Sequence, residues 1–150
     1  MSWFFATNSS INNLFLRVGL GALMLPHGLQ KTMGLFGGYG FLKTMDGLAE
    51  AVHTHFSLMP MIICKFLAIL VILAESVGAI GLIFGFFTRL AAFGIFMVMS
   101  GAIFMVHRSE GFFKYDHHLL IMLVCLVLMF GGGGLASIDR ALSQKKTPPA

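Results

Sequence analysis

The sequence contains little charge. Of its 150 residues, 11% are Asp, Glu, Lys or Arg, whereas soluble domains carry about 25%. Hydrophobic residues make up 57% of the chain, and the mean hydropathy is +0.89. So apolar a composition excludes an intrinsically disordered chain and argues against a soluble domain. It predicts an integral membrane protein.

Cysteine and the common catalytic motifs are also scarce. Cys64 and Cys125 form no CxxC pair, which excludes a zinc ribbon and a thioredoxin-like redox site. The sequence has no P-loop, no dinucleotide-binding glycine motif and no Ser-His-acid arrangement. The positive net charge comes largely from the basic C-terminal tail, so we expect no nucleic-acid partner.

Four apolar segments are long enough to cross a bilayer, which needs about 20 residues. They cover approximately residues 12–33, 59–87, 90–106 and 117–138. Because they occupy nearly the whole chain, we expect one domain, residues 1–150, that is all-α and forms a bundle of four transmembrane helices. An even number of spans puts both termini on one side, and the basic tail favours the cytoplasm.

The connection between the first two segments predicts an amphipathic helix. Residues 34–58 are too many for a structureless loop. Apolar side chains recur within it at i, i+4, i+7 and i+11, and charged residues lie on the opposite face. Such a helix is typical of the membrane interface. The apolar positions are Phe41, Met45, Leu48 and Val52.

A second short helix is predicted after the glycine run at residues 131–134. Ser137 is a suitable N-cap residue, and Asp139 falls in the acidic first turn.

Glu75 lies near the middle of the second segment, about 10 residues or more from either end. A carboxylate at that depth costs at least about 2.5 kcal/mol, so it must be neutral, paired or beside water inside the bundle. We expect Arg17 of the first segment to be its partner. The simpler interpretation is a structural ion pair that fixes how the two segments dock, and a proton- or ligand-handling role is the alternative. Arg17 shares its helix stripe with Gly21, Met24, Gly28 and Lys31.

Polar residues on the loop side extend this candidate site. In a proton path, Arg17 holds Glu75 charged, whereas His27 and Asp116 mark the wet end. The candidates for ligand or proton handling are Glu75, Arg17, His27, Glu50 and Asp116.

Histidines are concentrated on the same side, where all six of them fall. Imidazole titrates near neutrality and binds transition metals. No ligand spacing is diagnostic, so ordinary interfacial histidines, with or without a hydrogen bond to a quinone, are the simpler interpretation, and we do not expect heme or copper. The residues that would supply a metal site are Asp46, His53, His55, His117 and His118.

Several short motifs, in order, resemble the DoxX family. The first segment carries Leu16-Arg17-Val18-Gly19-Leu20-Gly21 and Pro26-His27-Gly28-Leu29-Gln30-Lys31. The second carries Glu75-Ser76-Val77-Gly78-Ala79-Ile80-Gly81-Leu82 and Gly85-Phe86-Phe87-Thr88-Arg89. Later come Gly111-Phe112-Phe113, Tyr115-Asp116, with Asp116 at a position where we expect glutamate, and Gly132-x-Gly134-x-x-Ser137-Ile138-Asp139.

This resemblance implies a four-span protein of the bacterial inner membrane that is associated with redox work. Related subunits belong to thiosulfate:quinone oxidoreductase, and others are linked to membrane complexes that handle thiol or superoxide stress.

Three functions remain open from the sequence. The first is a membrane subunit of a quinone-linked redox system, which acts with a partner redox protein or as a homo-oligomer and is at most one subunit of an enzyme. The second is a non-catalytic scaffold or assembly subunit for a partner oxidoreductase. The third is a transporter for a metal or a small molecule, which requires a broken helix such as Pro26-His27-Gly28 would produce.

Overall fold

The computed structural model describes residue 7, residues 10–107 and residues 115–144, and these are all-helical, without a strand. A 3₁₀ turn, Leu35–Gly37, follows the helix that ends at Met33, and a π-helical turn, Ile103–His107, follows the helix that ends at Ala102. Within these described ranges the α-helices are α1 (Ile11–Met33), α2 (Gly40–His55), α3 (Met61–Phe84), α4 (Thr88–Ala102), α5 (Asp116–Gly131) and α6 (Ile138–Gln144).

Helices α1, α3 and α4 lie where three of the apolar segments predict them, and α2 is the helix predicted between the first two. The fourth apolar segment, residues 117–138, forms a shorter helix than expected, because α5 ends at Gly131. Gly132 and Gly134 then adopt φ values of 74° and 73°, a conformation that favours glycine. The motif Gly111-Phe112-Phe113 and the basic residues Lys145 and Lys146 lie outside the described residues.

The helices of the four apolar segments, α1, α3, α4 and α5, pack in a ring. Helix α1 packs on α3, α3 on α4, α4 on α5, and α5 returns to α1. Helices α3 and α5 therefore occupy opposite corners of this ring. Its core contains fully buried side chains from three helices, among them Leu82, Ile95 and Leu128.

Helix α2 lies along the first half of α3 on the outside of the ring. Ala49 is fully buried against Cys64 and Ala68, and the predicted apolar positions Met45, Leu48 and Val52 pack around them. The apolar face of α2 therefore contacts α3. At the surface, the Asp46 carboxylate pairs with the Lys65 ammonium at 3.0 Å.

Two helical stretches are long and apolar enough to cross a membrane, Met61–Phe84 and Thr88–Met105. Helix α5 is equally apolar in character but has 16 residues. The outer faces of the bundle expose large apolar side chains that a soluble protein would bury. Examples from four helices are Phe15, Phe66, Val77, Phe93, Leu123 and Phe130.

Candidate functional site

Glu75 lies inside the bundle and forms an ion pair with Lys31. The Glu75 side chain is 5% exposed on α3, and the Lys31 ammonium reaches its Oε2 atom from α1. The expectation that Arg17 is the partner was therefore wrong. The expectation that neighbouring helices shelter this carboxylate is confirmed.

The antiparallel register of α1 and α3 explains the change of partner. Gly21 lies against Ala79 and Ile83, whereas Gly28 lies against the backbone of Glu75 and Ser76. Lys31 is less than one helical turn beyond Gly28, so it is level with Glu75. Arg17 is about 16 Å from Gly28 along the helix axis, at 1.5 Å per residue, which places it beside the last turn of α3.

Arg17 binds backbone carbonyl groups at the end of the bundle where α1 begins. Its side chain is buried, at 1% exposure. Nε donates to the Gly133 carbonyl at 2.8 Å, one terminal nitrogen donates to Leu82 at 3.0 Å, and the other donates to Ala136 at 2.7 Å. These carbonyls belong to the end of α3 and to the connection between α5 and α6. Arg17 therefore joins three parts of the chain and does not contact Glu75.

Asp139 completes this end of the bundle. Its buried carboxylate accepts hydrogen bonds from the backbone N–H groups of Phe87 at 2.8 Å and Thr88 at 2.9 Å, which begin α4. Ser137 Oγ accepts the N–H of Arg140 at 3.2 Å, which confirms the predicted cap of α6. We call the side chains of Arg17, Ser137 and Asp139, with the backbone groups they bind, the terminal cluster.

A cavity of about 390 Å³ opens at the other end of the bundle. Glu75 and Lys31 line one part of it. Its walls are otherwise mostly apolar and come from α1, α2, α3, α4 and α5, including Met24, Leu48, Ala68, Met99 and Ile121. The Lys31–Glu75 ion pair therefore borders a cavity of the size that small ligands occupy, about 300–1,000 Å³.

Three histidines line the same cavity. His27 is exposed at its rim on α1, and His117 and His118 begin α5. The rings of His117 and His118 are 3.9 Å apart between centroids. His117 is exposed and His118 is buried, and Asp116 Oδ1 lies 3.5 Å from His117 Nδ1. Asp116 thus lies at the outer edge of this histidine pair.

The remaining predicted residues are not brought into the cavity. Glu50 is exposed on the outer face of α2 and does not line it. His53 Nδ1 is 3.0 Å from the Met59 carbonyl, and His55 Nδ1 is 3.0 Å from the Ala51 carbonyl. Within the described part of the chain, no group of three or more His, Cys, Asp or Glu side chains is arranged to hold a metal ion.

Most of the chain matches the model of one protein family. The family model DoxX matches residues 13–108. The chain belongs to the DoxX family. The matched stretch contains both members of the ion pair, and DoxX membership together with the apolar helices indicates a membrane protein. No curated protein and no solved structure matches this DoxX chain significantly.

Two functional positions of this DoxX protein were missed in the sequence. Lys31 lies on the same stripe of α1 as Arg17, but the choice between them requires the register of α1 against α3. In the sequence, Asp139 is read only as an acidic residue in the first turn of its own helix. Its hydrogen bonds to the N–H groups of Phe87 and Thr88, 52 and 51 positions away, are seen only in the folded chain. Helix α1 is continuous through Pro26, so the broken helix that a transporter would require is not present there.

Proposed function

We propose that this DoxX protein is a four-span membrane subunit that binds a quinone in the cavity beside Glu75 and serves a partner redox protein. One observation carries the proposal: the buried Glu75 carboxylate, paired with a half-buried Lys31, lines a mostly apolar cavity within the bundle. The same observation favours this role over a pure scaffold, because a scaffold needs neither an internal cavity nor a buried charge beside it.

The proposed topology uses α1, α3, α4 and α5 as the membrane spans. Helix α1 has lower hydropathy because it carries Arg17 and Lys31, yet both side chains point into the bundle rather than towards lipid. Phe15 and Leu23 are exposed on its outer side. Helix α5 is about 24 Å long at 1.5 Å per residue, and a local thinning of the bilayer accommodates such a short span at modest cost.

The side chains that line the cavity fit a quinone. Apolar walls suit its ring, and the Lys31 ammonium and histidine N–H groups are donors for its carbonyl oxygens. The Glu75 carboxylate accepts hydrogen bonds and can take up or release a proton. A lipid-soluble molecule also has direct access to a site that lies among membrane helices.

The ion pair would control charge during the reaction. A quinone, when bound, accepts electrons from a donor and protons from its surroundings. In this proposal the partner redox protein supplies the electrons, and Glu75 carries a proton at its carboxyl group. Lys31 contacts the Glu75 carboxyl group directly and holds it at the cavity wall. Desolvation of the buried Glu75 carboxylate is costly and offsets much of its attraction to Lys31, which supports a functional reason for its presence.

We further propose that the protein resides in a bacterial inner membrane with both termini in the cytoplasm. The terminal cluster then faces the cytoplasm, and the cavity with its histidines opens towards the opposite side.

Binding of a quinone to the purified protein tests the proposal. A suitable probe is 2,3-dimethyl-1,4-naphthoquinone, because its methyl groups block addition of thiols to the ring. Calorimetric titration in detergent, with empty micelles as the blank, gives the dissociation constant. We expect saturable binding that Glu75→Gln weakens about tenfold or more, since the buried carboxylate loses its charge and its ion pair with Lys31.

The matched control is Asp46→Asn, which removes the carboxylate of an exposed ion pair outside the cavity. This variant should bind like the wild type. Absence of saturable binding, or equal affinities for Glu75→Gln and the wild type, would remove the quinone from this account and leave the scaffold as the better function.

A further inference from the structure

We propose that the cavity continues into an apolar arm between α2 and α4, and that this arm holds the hydrocarbon chain of a quinone whose ring lies beside Glu75. This inference rests on the proposed quinone site and makes its ligand more specific. It distinguishes a quinone with a long apolar substituent from a compact one.

The arm follows one face of α3. Ala68, Val71 and Glu75 all line the cavity, and their spacing of three and four residues puts them on the same side of that helix. At 1.5 Å per residue, Ala68 is about 10 Å from Glu75 along the helix axis. The cavity therefore extends beyond the carboxylate towards the start of α3.

Helices α2 and α4 form the walls of the arm, since both pack on α3. The residues that they contribute to the cavity are all alanine, glycine, valine, leucine or methionine. The charged and histidine side chains of the lining come from α1, α3 and α5. The cavity therefore has a polar part inside the ring of helices and an apolar part between α2 and α4.

The arm is open at its side. Ala51 of α2 and Met97 of α4 line the cavity, yet Ala51 is exposed and Met97 is 53% exposed. Gly101 lies one turn beyond Met97, and a Cβ atom added there would meet nothing within 4 Å. Beyond these residues, Phe56 stacks on Phe104 of the π-helical turn, with 6.3 Å between ring centroids, and joins the end of α2 to the end of α4. The gap between the two helices therefore opens sideways.

A hydrocarbon chain suits this opening. Met97 is one turn from Phe93, which belongs to the exposed apolar surface that faces lipid in the proposed topology. A chain that leaves the ring beside Glu75 can pass between the small residues Ala51 and Gly101 and continue among the lipid acyl chains. It would contact apolar groups along its whole length, which is the environment that it favours.

A pair of probes isolates the chain. The compounds 2,3-dimethyl-1,4-naphthoquinone and 2-geranyl-3-methyl-1,4-naphthoquinone share the ring and both carbonyl groups, and a geranyl chain replaces one methyl group in the second. Calorimetric titration in one detergent gives a dissociation constant for each. The readout is the ratio of the geranyl value to the dimethyl value, compared between each variant and the wild type. Uptake of a probe by micelles is the same for every variant and cancels in this comparison.

Two variants narrow the arm from opposite walls. Gly101→Leu fills the open space on α4, and Ala51→Phe fills the gap from α2. Each should raise the ratio at least about tenfold, because the chain no longer fits, and should change the dissociation constant of the dimethyl compound less than about threefold.

Gly19→Leu is the matched control. A Cβ atom added at Gly19 also meets nothing within 4 Å, but Gly19 does not line the cavity, so this variant should keep the wild-type ratio. Thermal unfolding of each variant establishes that it is folded, and if Gly101→Leu fails this check, Gly101→Val replaces it.

The outcomes separate this inference from the proposed function. A wild type that binds the dimethyl compound but not the geranyl compound overturns the arm and leaves the quinone site standing. An unchanged ratio in both Gly101→Leu and Ala51→Phe also overturns it, whether the two probes bind as in the wild type or are weakened equally. A ratio that Gly19→Leu raises as much contradicts the position of the arm. If neither probe binds the wild type, the proposed function fails and this inference fails with it.

Discussion

Arg17 and Lys31 share one stripe of α1 but meet different environments. Arg17 meets carbonyl groups at the end of α3 and after α5, and Lys31 meets the Glu75 carboxylate. A guanidinium group suits the first position, since its planar fork of donors can serve several carbonyls at once. The ammonium group suits the second position because it is a compact charge opposite one carboxylate.

We predict that Arg17→Met strongly destabilises the protein. The change leaves the carbonyls of Gly133 and Ala136 without the Arg17 donor, at about 1–3 kcal/mol for each group that water cannot reach, whereas the Leu82 carbonyl keeps the N–H of Gly85. A total loss of about 3 kcal/mol would lower the Tm by roughly 6–12 °C. The measurement is thermal unfolding in detergent, followed by circular dichroism.

Lys43→Met is the control for this prediction, because Lys43 is exposed on α2 and its removal should change stability by less than about 0.5 kcal/mol. At temperatures where Arg17→Met is folded, its affinity for the quinone should stay close to that of the wild type. An unchanged Tm combined with lost quinone binding would show that Arg17 acts in the ligand site after all.

The sequence was sufficient to single out Glu75 but not its partner. A lone carboxylate in an apolar run requires shelter wherever the helices lie, so its burial follows from solvation energy alone. The choice between Arg17 and Lys31 depends on how far α1 slides along α3. That register is determined by the close approaches at Gly21 and Gly28, which are tertiary contacts.

Among the helices, the contact of α1 with α3 is the one most relevant to the site. A Cβ atom added at Gly28 would overlap the backbone of Glu75 and lie 2.5 Å from the Cα atom of Ser76. The packing of α1 against α3 therefore leaves no room for a side chain at position 28. At Gly19, on the same helix, a Cβ atom would meet nothing within 4 Å.

We predict that Gly28→Ala weakens both stability and quinone binding. The methyl group must push α1 away from α3, at a cost of about 1–3 kcal/mol for overpacking, and the displacement separates Lys31 from Glu75. Thermal unfolding and the calorimetric titration measure the two effects. Gly19→Ala should be neutral or slightly stabilising, since alanine favours helix more than glycine does. Equal damage from the two substitutions would contradict the close contact at Gly28.

Helix ends were harder to predict than helix positions. Residues 135–138 read as a continuation of the fourth apolar segment, yet the chain leaves the helix at Gly131. The glycine run permits the positive φ values at Gly132 and Gly134, and Arg17 and Asn13 bind the carbonyls that this turn exposes. Hydropathy averages over such a turn and does not detect it. In α2, by contrast, the regular spacing of apolar residues was a sufficient signal.

At the scale of the whole molecule, the two ends of the bundle differ in character. The terminal cluster is tightly hydrogen-bonded and joins the start of α1 and α4 to the end of α3 and α5. The opposite end contains the cavity, the ion pair and the histidines. The terminal cluster is therefore suited to holding the bundle together, and the cavity end is suited to binding a ligand.

We predict that the two ends lie on opposite sides of the membrane, with the terminal cluster in the cytoplasm. Single cysteines at His55 and Gln144, both exposed positions, report on the two ends after Cys64 and Cys125 are replaced by alanine. A membrane-impermeant maleimide added to intact spheroplasts should label His55→Cys and spare Gln144→Cys until the membrane is permeabilised. The reverse pattern would invert the orientation, and labelling of both from outside would contradict the four-span topology.

The most direct test of the central claim is photolabelling with an azido-substituted naphthoquinone, followed by mapping of the modified residues by mass spectrometry. The account predicts labels on the cavity walls, within residues 24–31, 68–75 and 117–121, that excess unlabelled quinone prevents. Labels confined to the lipid-facing side chains of the helices, or labels that excess quinone does not reduce, would show that the space beside Glu75 is not a quinone site.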